Sequence, residues 1–113
     1  MPKINARKKG HAYELQVRDI FKDLGFSECV SSRSESKNMD DKGVDLCYTG
    51  PFHVQCKAVE NLGSIHKILA AMPKGKMNLV FHKKNRQGSI VAMDTETFIT
   101  IAREFLTKVD NSK

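Results

Sequence analysis

The sequence predicts one α/β domain, a mixed central β-sheet flanked by helices, in the element order α-β-β-β-α-β-β-α. Three observations predict it. The 113 residues suffice for one compact domain and not for two. Apolar residues at 40% and charged residues at 28% give the balance of a globular chain. Helix-period and strand-period segments alternate along the chain. The expected division is one domain over 1–113, with a basic arm at 1–8, a flexible polar loop at 34–42 and a tail at 110–113.

The first helix is expected from Lys9 to Leu24, stopped by Gly25. Tyr13, Val17, Ile20, Phe21 and Leu24 form its apolar stripe. Glu14 falls about 20° from Phe21 on the helical wheel, at the margin of that stripe. Desolvating an unpaired carboxylate is expensive, so Glu14 is either salt-bridged or functional. Glu28 to Arg33 reads as a short strand, and Ser34 to Lys42 as a polar loop. Gly43 to Tyr48 and Phe52 to Val59 read as two strands of a hairpin across Thr49-Gly50-Pro51. In the second of them Val54 and Cys56 share one face, and His53, Gln55 and Lys57 the other. Ser64 to Met72 is a shorter helix closed by Pro73. Met77 to His82 and Ser89 to Met93 are strands joined by a turn over Lys84 to Gly88. Asp94 or Thr95 caps the last helix, whose stripe is Phe98, Ala102, Phe105, Leu106 and Val109.

Charge narrows the partners. Nineteen Lys and Arg against 13 Asp and Glu leave +6. No acid stands between Glu60 and Asp94, where Lys67, Lys74, Lys76, Lys83, Lys84 and Arg86 occur. Lys3, Arg7, Lys8 and Lys9 form a second acid-free segment. Either alone reads as a solvated face; two in one small domain point to nucleic acid. No run of 18 apolar residues is present, so no membrane span is expected. No hydrophobic stretch follows the basic N-terminus, so no secretory signal is expected. Cys29, Cys47 and Cys56 lack metal-site spacing and are expected as free thiols in a reducing cytoplasm, the host's if the source is viral. Two Tyr and no Trp do not make a base-stacking platform.

One constellation carries chemistry. Asp45 lies in one expected strand, and Gln55-Cys56-Lys57 ten residues on in its neighbour. A carboxylate and an amide oxygen are hard ligands suited to Mg²⁺ or Mn²⁺. A protonated lysine beside them positions water or a phosphate oxygen, and Glu14 offers a second anionic ligand.

Gly43-Val44-Asp45-Leu46, nine residues, then Gln55-Cys56-Lys57 resembles the PD-(D/E)XK nuclease signature. The glutamate helix and the strand end Ser32-Arg33-Ser34 make the layout most similar to small archaeal-type and phage-type Holliday-junction resolvases. The match covers about residues 9 to 60. The resemblance implies a restriction-endonuclease-like fold and metal-dependent hydrolysis of branched or distorted DNA. It implies Glu14, Asp45, Gln55 and the backbone carbonyl of Cys56 around Mg²⁺ or Mn²⁺, with Lys57 as the catalytic lysine. Arg7, Lys8, Lys9, Arg33, Ser34, Lys83, Lys84 and Arg86 are the expected phosphate contacts. Two symmetric cuts imply a homodimer, with Ile65, Ile68, Leu69 and Met72 on the short helix as a candidate interface or as ordinary core.

Gln55 stands where the family usually has an acid, so it ligates without adding charge. The alternative is therefore a noncatalytic DNA-binding protein that keeps the nuclease fold; a small basic assembly factor is the third reading. His53 is expected as a surface histidine, and Asp40 and Asp41 as solvated turn residues. The spacing does not decide whether His11 reaches a substrate or faces water.

Overall fold

The computed structural model describes residues 6–35 and 37–111. It has five helices and five strands among those residues: α1 (Ala6–Asp23), β1 (Val30–Ser31), α2 (Ser32–Glu35), α3 (Lys37–Asp41), β2 (Leu46–Cys47), β3 (Phe52–Lys57), α4 (Ile65–Ala71), β4 (Met77–Lys83), β5 (Ser89–Ala92) and α5 (Thr95–Asn111). The class is mixed α/β. One sheet is three-stranded, ordered β3-β4-β5, with β3 and β4 parallel and β4 and β5 antiparallel. The other is the short antiparallel pair β1-β2.

Each face of the larger sheet has its own cover. Period-2 alternation puts Val54, Leu79 and Phe81 on one face, where Tyr13, Val17 and Phe21 of α1 pack. Phe21 is the hub, its ring 5.8 Å from Phe26, 6.3 Å from Phe52 and 5.8 Å from Phe81. On the opposite face Val80 is fully buried and α4 lies against β4, as the crossover of a parallel β3-α4-β4 unit requires. Ser64 caps α4 by accepting from the Lys67 amide, and Met72 at its other end is buried. Gly25, at φ 115°, ends α1, where the Phe26 amide reaches back to the Phe21 carbonyl.

Several expectations need correction. The 34–42 segment, expected as a loop, is helical as α2 and α3, and Ser32 anchors it: its amide donates to the Asp45 carbonyl and its hydroxyl to Asp40. The 1–8 arm is part of α1 from Ala6 onward, and the tail is part of α5 up to Asn111; residues 1–5, 36 and 112–113 lie outside the described residues. The expected hairpin is reduced, among the described residues, to two backbone bonds, from the Asp45 amide to the Val54 carbonyl at 2.7 Å and from the Phe52 amide to the Thr49 carbonyl at 3.3 Å. The reason is local. The Asp45 side chain takes the Cys56 amide that a continued ladder would give to a main-chain carbonyl. The strand expected over 28–33 shortens to Val30–Ser31 because the chain turns into α2.

Two apolar stripes also differ from expectation. Of the expected first-helix stripe, Ile20 and, just past the end of α1, Leu24 are exposed, so Tyr13, Val17 and Phe21 carry the packing. On α5, Phe98, Phe105, Leu106 and Val109 are exposed. The base of that helix is tied down, where Asp94 accepts from the Thr97 amide and Thr97 and Met93 turn inward.

Candidate functional site

A cleft of about 310 Å³ opens where α1, the α3–β2 connection and β3 meet. Glu14, Asp45, Gln55, Cys56 and Lys57 line it, with Gly10, Arg33 and Asp40. Side chains from several separate segments thus share one cavity. Asp45 arrives because its amide is tied to β3, and Glu14 because the neighbouring face of α1 is buried on the sheet.

Asp45 is the electrostatic centre. The Cys56 amide donates to its Oδ2 at 2.7 Å, and among the described residues no hydrogen bond reaches Oδ1. Burial raises its pKa to about 6; the Cys56 amide opposes that shift, Glu14 and Asp40 add to it, and Lys57 counters them. A group in this state favours an added cation, because positive charge at Oδ1 offsets both burial and like-charge repulsion. Burial also pushes the Cys56 thiol far up, so that sulfur stays protonated and inert.

Glu14 is both buried and paired. Its Oε1 accepts from Arg33 Nη2 at 3.0 Å and its Oε2 from the Ser31 hydroxyl at 3.4 Å. His11 Nδ1 stands 3.6 Å from the same Oε2. The open question of salt bridge or function therefore has a structural half-answer: Glu14 is salt-bridged at the cleft wall. Arg33, expected as a phosphate contact, gives Nη2 to that bridge.

Gln55 depends on Gly43. A side chain at Gly43 would come 3.2 Å from Gln55 Nε2, and its φ of 81° suits glycine. Gln55 also borders a second groove of about 400 Å³ together with Asp41, Lys42 and Lys67.

The oxygen-bearing groups at the cleft are the Asp45 carboxylate, the Gln55 amide and the Cys56 carbonyl, whose residues all line it. In an extended strand a residue's N–H and C=O point to the same side, so the Cys56 carbonyl shares the Asp45 side of β3. Such hard oxygens fit Mg²⁺, which keeps several waters and uses few protein ligands. Among the described residues no three His, Cys, Asp or Glu side chains form a metal-holding group. Any cation here rests on Asp45 and on neutral oxygens.

Three of the expected basic residues line a groove next to this cleft. Lys9 Nζ donates to Asn85 Oδ1 at 2.6 Å, joining the start of α1 to the β4–β5 turn. Lys9, Lys83 and Lys84 line a groove of about 140 Å³ there, and Ala58 borders both that groove and the cleft. Arg7, Lys8 and Arg86 are exposed nearby in the chain, Arg86 in the turn with φ 62°. The Ser34 side chain lies outside the described residues.

Two residues differ from their sequence reading. Asp40, expected as a solvated turn residue, lines the cleft because α3 folds it back to Ser32. Asp41 is exposed, as a turn residue would be. No local pattern marks Asp40, since its position depends on a helix of five residues. His53, expected at the surface, is buried; its Nδ1 lies 3.2 Å from the Pro73 carbonyl and 3.0 Å from Asn78 Oδ1. The α4 crossover brings Pro73 over that face, which removes His53 from solvent.

No family model, curated protein or solved structure matches the chain.

Proposed function

We propose that the chain is a metal-dependent DNA endonuclease of the PD-(D/E)XK type, restriction-endonuclease-like in plan and acting on branched or distorted duplexes. One observation carries this reading: Glu14, Asp45, Gln55 and Lys57 line a single cleft that borders a basic groove. Asp45 Oδ1, the Gln55 amide oxygen and the Cys56 carbonyl would hold Mg²⁺ or Mn²⁺. The cation, when bound, supplies Lewis acidity toward the scissile phosphate and lowers the pKa of water. Lys57 orients the attacking water and offsets the charge that develops on phosphorus-bound oxygens. Glu14 fixes Arg33 at the rim, where the guanidinium can turn toward a phosphate. Lys9, Lys83 and Lys84 grip backbone phosphates, contacts that position the duplex without reading its sequence. In-line attack leaves a 5′-phosphate and a 3′-hydroxyl.

The test is incubation with four-way junction, nicked duplex and linear duplex in EDTA, Mg²⁺ or Mn²⁺. Metal-dependent cutting that Asp45→Ala and Lys57→Ala abolish is the expected result. Absence of cutting in both metals overturns the enzymatic reading.

The charge count favours a second reading specifically. Arg33 neutralises Glu14 and Gln55 is uncharged, so Asp45 is left as the cleft's unpaired carboxylate beside Asp40. A noncatalytic DNA-binding protein would bind the junction tightly and cut nothing. Gln55→Glu separates the two: a second carboxylate at this position is expected to lower the metal concentration needed for half-maximal cutting. Complete loss of activity in that variant would remove Gln55 from the ligand set.

The basic groove gives its own prediction. Log affinity falls with log salt at roughly 0.9 per neutralised phosphate. The Lys83→Ala, Lys84→Ala double variant should flatten that slope by about 2 and weaken all duplexes alike. Fluorescence anisotropy between 50 and 200 mM salt reads it, and an unchanged slope places the DNA elsewhere.

A further inference from the structure

We propose that the groove between α4 and the α3–β2 connection receives one unpaired nucleotide of the DNA whose backbone lies in the cleft. The groove measures about 400 Å³, within the roughly 300–1,000 Å³ of pockets that hold small organic groups. Gly43 and Gln55 line both the groove and the cleft. The two cavities therefore meet at one point, and an occupant of the groove adjoins what lies beside Asp45. The junction stays open because residue 43 has no side chain: a Cβ there would stand 3.2 Å from Gln55 Nε2 and 3.4 Å from Gln55 Oε1.

The lining fits a base and its phosphate. Gln55 stands opposite Val80 in the sheet register, so it belongs to the face that α4 covers. On that face α4 supplies Ile68, Ala71 and Met72, an aliphatic wall with one polarisable sulfur. Met72 is buried and Ile68 half-buried, so packing sets their positions before a ligand arrives; Ala71 is exposed. Lys42 lines the groove from one side and Lys67 from α4, and no ion pair among the described residues engages either ammonium. Asp41 lines it as well, which leaves one net positive charge. An isolated phosphate has no use for the aliphatic wall. A paired base cannot enter so small a space without leaving its helix.

The groove thereby selects distorted DNA over regular duplex. Extruding a base costs least where it is already mismatched or unpaired, and apolar side chains can hold the extruded ring. The amide at position 55 gains a reason too. Its oxygen can face a cation in the cleft while its N–H groups donate to phosphate or base oxygens in the groove. A carboxylate there would repel the phosphate at the junction.

This assignment rests on the reading of the cleft as a DNA site, and not on cutting. Fluorescence anisotropy in EDTA on the full chain tests it with three duplexes: regular, with a one-nucleotide bulge, and with an abasic residue as the bulge. The abasic bulge keeps the backbone distortion and lacks only the base. The base-bearing bulge should bind roughly tenfold tighter than the abasic one. Ala71→Trp, at an exposed helix position, fills the groove and should remove that difference while regular-duplex affinity stays. Lys67→Ala reads the same groove should the tryptophan disturb α4: the slope of log affinity against log salt should fall by about 1 for the bulged duplex alone. Equal binding of base-bearing and abasic bulges overturns the proposal, as does a difference that survives both variants unchanged. A chain that binds no DNA overturns it together with the nuclease reading. Cutting in Mg²⁺ without the base-dependent difference overturns this proposal alone, and the difference without cutting overturns only the enzymatic reading.

Discussion

Asp45→Asn is expected to raise the melting temperature by roughly 5–10 °C while abolishing metal-dependent cleavage. Asparagine keeps the acceptor for the Cys56 amide, so the β2–β3 junction survives. What it removes is a buried negative charge beside Glu14 and Asp40. The folded-state pKa near 6 lies above the ordinary 3.8, so the native state holds its proton where the unfolded chain has released it. This contribution to stability is fully present below about pH 4 and is lost as pH rises through 6. Relief of the penalty at neutral pH is worth on the order of 1–2 kcal/mol, or about 4–8 °C each in a domain near this size. Thermal unfolding from pH 4 to 8, with EDTA or Mg²⁺, reads the effect. Wild type should lose stability between pH 4 and 6 and regain part of it with Mg²⁺. The variant should do neither. An Asp45→Asn protein with unchanged melting temperature and pH profile would show that the carboxylate is not under electrostatic stress, and the cation site built on it would fail.

Phe21→Ala carries the largest expected loss of stability, about 3–5 kcal/mol. Its ring contacts Phe26, Phe52 and Phe81, which belong to the α1–β1 connection and to two adjacent strands. Removing it opens a cavity at the point where α1 meets the sheet. Total stability of a small domain is roughly 5–15 kcal/mol, so about a fifth or more of it goes. Urea unfolding followed by far-ultraviolet dichroism measures the change. A loss below 1 kcal/mol would mean that the aromatic cluster does not hold α1 in place, and Glu14 would lose its support.

Much of this was legible in residues near one another in the chain. Tyr13, Val17 and Phe21 announce a helix by spacing, Gly25 ends it by its conformational freedom, and Asp94, one of the two caps the sequence offers, caps the last helix. Alternation in Phe52–Lys57 sorted Val54 and Cys56 from Gln55 and Lys57. The wheel position of Glu14 signalled a carboxylate at the edge of burial, which the Arg33 bridge explains. By contrast, Asp40 and His53 depend on where α3 and Pro73 arrive, and no local spacing carries that.

Phe21 and Phe105 mark the boundary between the two kinds of knowledge. Both sit on helical stripes of the same period, and hydrophobic periodicity says only that a face seeks cover. Local propensity, capping and alternation are properties of neighbouring residues, so the chain by itself determined the two long helices, the strands of the larger sheet and which faces are apolar. Which face meets a partner within the molecule depends on contacts between distant segments. Tertiary structure alone decided that α1 lies on the sheet, that α5 does not, and that Lys9 meets Asn85 beside Asp45's cleft.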